Sequence, residues 1–207
     1  MTDTKADTGF IHVFEQGSDL ERRPLVLLHG TGGDERDLLS LGRTVAPGAS
    51  LLSPRGKVLE GAAPRFFRRL AEGVFDEDDL RRRTDELADF VLEARERYGL
   101  AAPIALGFSN GANIAAAMLL QRPDVLAGAA LLRAMVPFAE APRADLSSKP
   151  VLVLSGALDP IIPASNAERL VRQLGDNGAA VEHRVLPAGH GLGQADLGLL
   201  HGWLERF

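Results

Sequence analysis

The stretch that most constrains this chain is Gly107-Phe108-Ser109-Asn110-Gly111, set between an apolar run and a helix-forming one. Before it, Pro103-Ile104-Ala105-Leu106 reads as a short buried strand entered through a proline. After it, Ala112 to Leu120 is rich in helix formers, and Pro123 stops the helix after Arg122. A strand that turns into a helix across a single residue brings the two backbones very close. Side chains at 107 and 111 would clash there, so glycine at both positions is what the geometry asks for. The serine between them is held in a strained backbone conformation with its hydroxyl projecting. The N–H of Asn110 opens the helix and points the same way, where the helix dipole favours negative charge. The alternative is a Gly-Ser turn joining two core elements, and the pentapeptide alone does not separate the two.

The rest of the chain supplies the sheet around this turn. Phe10 to Phe14 reads as a first strand at a sheet edge, after a frayed tail over residues 1–9. Pro24-Leu25-Val26-Leu27-Leu28 is continuously apolar, as in a strand covered on both faces. It runs into His29-Gly30-Thr31-Gly32-Gly33-Asp34, a loop whose glycines let the backbone curl and whose Asp34 is placed to cap a helix through about Val45. No Gly-Lys-Ser/Thr follows, so a phosphate loop is discounted. His29 is assigned a loop-shaping hydrogen bond, not proton transfer.

Ser50 to Ser53 is a further short strand, and residues 57–75 read as one long ordered loop carrying Phe66 and Phe67. Asp76 to Tyr98 is a long amphipathic helix with acids in its first turn and Gly99 after its end. Further strands fall within Leu126–Val136, at Pro150–Gly156 and at Ala180–Leu186; helices cover Pro163–Leu174 and the stretch from Leu192 or Asp196 to Phe207. This alternation predicts an α/β fold: a mainly parallel twisted sheet with helices on both faces, as one domain over residues 10–207 without a large cap domain. In such sheets ligands bind beyond the carboxyl ends of the strands. Ser109, the His29–Gly33 loop, Asp159 and His190 all follow strands and should meet there.

Composition removes several classes of function. With a net charge of −5 the chain lacks the basic face that nucleic acid requires. With no cysteine, disulfides, thiolate catalysis and zinc–cysteine sites are excluded, and no histidine pair has metal-ligand spacing. The first residues have no apolar core to act as a signal peptide, and the longest apolar region, Val125 to Ala139, is broken by Arg133 and Pro137. The expectation is a cytoplasmic protein with no membrane span, no metal and no cofactor; monomer and homodimer both stay open.

Gly107 to Gly111 fits G-x-S-x-G, the elbow that carries a nucleophilic serine. A serine hydroxyl needs a base beside it, and the base needs an orienting group. His190, in Gly189-His190-Gly191, and Asp159, in Gly156-Ala157-Leu158-Asp159-Pro160, follow the last two strands. His12 and His183 lie within strands and His201 lies in the terminal helix. The expected chemistry is acyl transfer, with Ser109 as nucleophile, His190 as base, Asp159 as its orienter, and the backbone amides of Thr31 and Asn110 as oxyanion donors.

These segments, together with Ser53-Pro54-Arg55-Gly56 and Arg65-Phe66-Phe67-Arg68, resemble the small phospholipase/carboxylesterase family of α/β-hydrolases, which includes acyl-protein thioesterases. The likeness runs from Pro24 to the end, and the second pair of segments resembles bacterial carboxylesterases most. It implies the same triad and the same oxyanion amides, in an enzyme for a small ester. Thr31 and Asn110 stand where the thioesterases usually carry leucine and glutamine, which leaves the backbone donors intact but counts against acyl-protein substrates. Thioesterase or lysophospholipase activity is the alternative within the chemistry, and a non-catalytic binding protein of the same fold is the alternative outside it. Arg55, Arg133, Phe66 and Phe67 are candidate substrate-binding residues. For the arginines the competing reading is a structural ion pair; for the phenylalanines it is core anchoring.

Overall fold

The computed structural model describes the backbone of residues 2–5 and all of residues 9–207. Its centre is a sheet with the order β1-β2-β4-β3-β9-β10-β11-β12. Here β1 is Thr2–Lys5, β2 Ile11–Glu15, β3 Leu25–Leu28, β4 Leu51–Pro54, β9 Ile104–Phe108, β10 Gly128–Leu132, β11 Pro150–Gly156 and β12 Ala180–Leu186. In this sheet β4, β3, β9, β10, β11 and β12 run parallel, while β2 is antiparallel to both β1 and β4.

Alternation along the strands divides the core in two. Val26, Leu28, Ala105, Ala129, Leu131, Val151 and Val153 face one way, onto α2 (Glu77–Tyr98), α3 (Asn110–Gln121) and α4 (Ala164–Asp176). Leu25, Leu27, Ile104, Leu106, Ala130, Leu132, Leu152 and Leu154 face the other way, onto α1 (Leu39–Val45) and α5 (Gln194–Leu204). Strands buried on both faces need no polar side, which is why these segments read as unbroken apolar runs. Each fully buried leucine contributes about 1.5–3 kcal/mol, so this double layer is a rigid platform for the loops at its edge.

Helix α2 starts and stops as its sequence dictates. The Asp76 side chain accepts from the Asp79 N–H at 3.0 Å, Glu77, Asp78 and Asp79 lie in the first turn, and Gly99 ends the helix at φ 65°. Leu80, Leu87, Val91 and Ala94 form its buried stripe.

Four expectations are corrected. Thr2–Lys5 pairs with β2, so β2 is not the edge strand and these residues are not a free tail; residues 1 and 6–8 lie outside the described residues. The unpaired backbone groups along the outer side of β2 make a template that a short extended segment fills. Asp34 does not cap α1. Its carboxylate accepts from the Arg36 N–H at 2.8 Å, closing a local turn, and the helix begins only at Leu39. Residues 57–75 are ordered, but as two short hairpins and not as one long loop: β5 (Val58–Glu60) pairs with β6 (Ala63–Arg65), and β7 (Arg69–Ala71) pairs with β8 (Val74–Phe75). Gly61 and Gly73, both at positive φ, turn these hairpins. The last helix starts at Gln194, between the two proposed starts.

Candidate active site

The elbow follows the geometry its glycines imply. Ser109 has φ 51° and ψ −113°, outside the favoured regions for an L-residue, at a cost of about 1–3 kcal/mol. Its N–H donates to the Leu132 carbonyl at 2.8 Å, and its carbonyl accepts from the Asn113 N–H at 3.0 Å, so both neighbouring elements hold the strained residue in place. A methyl on Gly107 would sit 2.6 Å from Ala112 Cα, and one on Gly111 would sit 1.9 Å from the Leu28 carbonyl oxygen. Helix α3 therefore starts directly against the end of β3, and only glycine permits the approach.

Three side chains far apart in the chain meet at this edge. Ser109 Oγ lies 3.0 Å from His190 Nε2, and His190 Nδ1 lies 2.8 Å from Asp159 Oδ2. An ionised carboxylate can only accept, so Nδ1 carries the imidazole proton and donates it to Asp159. Nε2 then has a lone pair facing the serine hydroxyl. The other oxygen of Asp159 accepts from the N–H groups of Ile161 at 2.8 Å and Ile162 at 3.2 Å. Burial of the Asp159 carboxyl pushes its pKa up, but the bonds from His190 and from these two amides outweigh burial and hold it below the usual value. The Phe108 ring packs against the imidazole at 5.4 Å between centroids.

Opposite the serine, the loop after β3 is tied down from several sides. Gly32 N–H donates to the Pro64 carbonyl at 2.9 Å, and Gly33 N–H to the Gly30 carbonyl at 3.1 Å. A methyl on Gly30 would meet the Phe108 ring at 2.9 Å. His29 shapes the loop: Nδ1–H donates to the Gly30 carbonyl at 2.7 Å and Nε2 accepts from the Gly56 N–H at 3.0 Å. Burial pushes the His29 pKa down, which keeps the ring neutral as that acceptor role requires. Among the described residues, neither the Thr31 nor the Asn110 N–H takes part in a turn or loop hydrogen bond.

Of the four candidate substrate-binding residues, Phe66, Phe67 and Arg133 are buried and Arg55 is partly exposed. Phe66 and Phe67 are 2% and 0% exposed, and Phe66 packs on the His29 ring, so both anchor the core. Arg55 forms a fork with the buried Glu35, its Nη2 donating to Oε1 at 2.7 Å. Arg133 is fully buried. Its Nε–H donates to the Gly189 carbonyl at 2.9 Å, its Nη1 to Asp196 Oδ1 at 2.8 Å and the Leu154 carbonyl at 3.3 Å, and its Nη2 to Asp196 Oδ2 at 3.0 Å and the Gly191 carbonyl at 3.1 Å. Each of the two guanidinium groups is engaged by a carboxylate within the protein, and Arg133 also borders the pocket beside Asp159.

Sequence reasoning did not reach two supports of the site. Arg65, nearly buried, donates to Thr31 Oγ1 at 2.8 Å and to the Phe67 carbonyl at 3.2 Å, bracing the glycine loop from the first hairpin. The Asn110 side chain accepts from the Phe66 N–H at 2.8 Å. An arginine directly before two phenylalanines was the available signal for the first; nothing local marks the second. A pocket lined by Ser155, Asp159, Ile162, Ala164, Ala167 and Val185 opens beside the carboxylate but does not include Ser109 or His190. Among the described residues no cluster could hold a metal ion, and no helix is long and apolar enough to cross a membrane.

Residues 23–147, more than half of the chain, match the family model described as alpha/beta hydrolase fold. The chain belongs to the α/β-hydrolase family. This hydrolase is 46% identical over 196 residues to the Bacillus subtilis (strain 168) protein named "Putative hydrolase MhqD", covering 94% of this chain and 97% of that one. Its structure superposes on a Bacillus cereus carboxylesterase with TM-score 0.94 and 42% identity, covering 97% and 95% of the two chains. For a Mesorhizobium loti carboxylesterase the TM-score is 0.90 at 34% identity, covering 95% and 94%. The likeness spans the whole sheet, so the resemblance read from the motifs extends to the architecture, and the protein is a hydrolase.

Proposed function

We propose that this hydrolase cleaves carboxylic esters through an acyl-enzyme on Ser109. The observation that carries the reading is the unbroken hydrogen-bond line from Ser109 through His190 to Asp159, starting at a strained elbow. Ser109 Oγ attacks the ester carbonyl carbon while its proton passes to His190 Nε2, and the carbonyl π pair moves to oxygen. The N–H groups of Thr31 and Asn110 stabilise that oxyanion, each donor being worth about 3 kcal/mol in the transition state. The carbon–oxygen bond to the alcohol breaks as His190 returns the proton to the leaving oxygen. Water then repeats the sequence: His190 takes its proton, the acyl–Ser109 bond breaks, the acid leaves and the serine recovers its hydrogen. Asp159 keeps the imidazole in the tautomer this needs and stabilises the imidazolium.

Likeness to the Bacillus cereus and Mesorhizobium loti carboxylesterases supports an ester over other acyl substrates. Arg55, Arg65 and Arg133 are each paired within the protein, while Leu158 and Ile161 are exposed in the loop that carries Asp159 and Leu70 and Val74 are exposed on the second hairpin. That combination favours a neutral ester with apolar groups over one bearing a carboxylate.

The test is a panel of p-nitrophenyl acetate, a long-chain p-nitrophenyl ester and a thioester, with the wild type and Ser109→Ala. Turnover of the short neutral ester by the wild type alone is expected. Turnover of the thioester only would move the reading to a thioesterase, and no turnover of any member by folded wild type would replace it with a binding protein.

A further inference from the structure

Arg133 is the largest fully buried side chain, and it sits at φ 53°, a conformation that non-glycine residues seldom adopt. A guanidinium has five N–H donors in a fixed fork. Here they reach the carbonyls on either side of His190, at Gly189 and Gly191, the carbonyl of Leu154 at the end of β11, and both oxygens of Asp196. Asp196 in turn accepts from the Gly193 N–H at 2.9 Å, fixing the start of α5. The loop that carries His190 has no regular structure of its own between β12 and α5. Its peptide groups are gripped at residues 189 and 191 by a cation placed just after the end of β10, two strands over from β12 in the sheet.

We infer that the Arg133–Asp196 pair is a positioning device for His190, setting the distance of its Nε2 from Ser109. The inference rests on the acyl-transfer reading, since only a base has a position that matters. The backbone strain at residue 133 turns its side chain back under the histidine loop, where an extended residue would continue the strand. Lysine cannot replace it: one ammonium reaches Asp196 but cannot also span two carbonyls that flank a third residue. A purely structural ion pair would need only the carboxylate; the contacts to both flanking carbonyls are what a positioning role adds.

Two variants test this: Arg133→Lys, which keeps the charge beside Asp196, and the double variant Arg133→Met/Asp196→Leu, which removes both charges together and so leaves none unpaired in the core. Leu126→Ala, a cavity at the far edge of the sheet, serves as a comparison of lowered stability without a change near the loop. The readouts are kcat and KM for p-nitrophenyl acetate, the rate of fluorophosphonate labelling, and the proton NMR signal of the hydrogen shared by His190 Nδ1 and Asp159. Either folded variant should lose about 10²-fold in kcat and labelling rate with KM little changed, as a sub-ångström to 1 Å displacement of a base does. Its Nδ1 proton signal should broaden or vanish, while Leu126→Ala keeps both rate and signal. Should the double variant not fold, Arg133→Lys carries the same expectation. Wild-type rate and signal in folded Arg133→Lys would overturn the inference while leaving the acyl-transfer reading intact, and so would an equal loss in Leu126→Ala. Absence of labelling in the wild type itself would overturn both.

Discussion

Replacing Asp159 by asparagine is the sharpest single perturbation of this site, because the protein has two incompatible uses for the new amide. Asp159 Oδ1 accepts from the N–H groups of Ile161 and Ile162, while Oδ2 accepts from His190 Nδ1. An asparagine that keeps its oxygen toward the two amides turns its NH2 toward His190. Nδ1 must then accept, the imidazole proton moves to Nε2, and Nε2 can no longer take a proton from Ser109. The flipped amide would restore the histidine but set its NH2 against two N–H donors, giving up two hydrogen bonds worth about 0.5–1.5 kcal/mol each. The first orientation therefore dominates, the fold survives, and the base is in the wrong tautomer. The expected loss is about 10⁴-fold in kcat, or about 5.5 kcal/mol of barrier. Turnover of p-nitrophenyl acetate, normalised by phosphonate titration of Ser109, measures it beside a thermal melt. A folded variant retaining a tenth or more of wild-type kcat would refute the tautomer argument and point to another acceptor for the Nδ1 proton.

Further outcomes follow from the same geometry. Because the Asp159 carboxyl is held below its unfolded value of about 3.9, its contribution to stability is present above that value and is lost as pH falls through the folded one. Melts of wild type and Asp159→Asn should accordingly converge toward strongly acid pH. Arg55→Ala should leave KM for neutral and anionic esters unchanged but cost about 1–2 kcal/mol in denaturant unfolding, less than for a fully buried pair because the guanidinium is partly in water. The Arg55 hydrogen bond holds the Glu35 carboxyl below its ordinary range, so that loss should shrink on acidification; a deficit independent of pH would contradict the pairing. Gly111→Ala drives a methyl into the Leu28 carbonyl and should cost at least about 1–3 kcal/mol together with most activity; wild-type melting would mean that the elbow is looser than described.

Much of this architecture was legible because it depends on patterns local to the chain. Unbroken apolar runs marked the doubly covered strands, and Asp76 and Gly99 marked the ends of α2. The glycines of the elbow were readable because their reason is steric. What escaped were features set by partners distant in sequence. Thr2–Lys5 is a strand only because β2 offers it an edge. The hairpins of residues 58–75 have two- and three-residue strands, too short for alternation to register. Asp34 belongs to a class that serves turns as readily as caps, and here the turn took it. Arg55 and Arg133 sit on the expected edge, but their partners lie 20 and 63 residues away, and no spacing rule links them. Asp196 accepts from the Gly193 N–H and also anchors Arg133, two uses that its sequence neighbourhood does not announce.

The account turns on whether Ser109 is an activated nucleophile. Peptide mapping by mass spectrometry after exposure to a fluorophosphonate decides this: Ser109 Oγ bonds to phosphorus, fluoride leaves, and the adduct mass should fall on the peptide containing Ser109 and be absent from Ser109→Ala. Folded wild-type protein that carries no adduct, or carries it on another residue to the same extent in Ser109→Ala, would contradict the account.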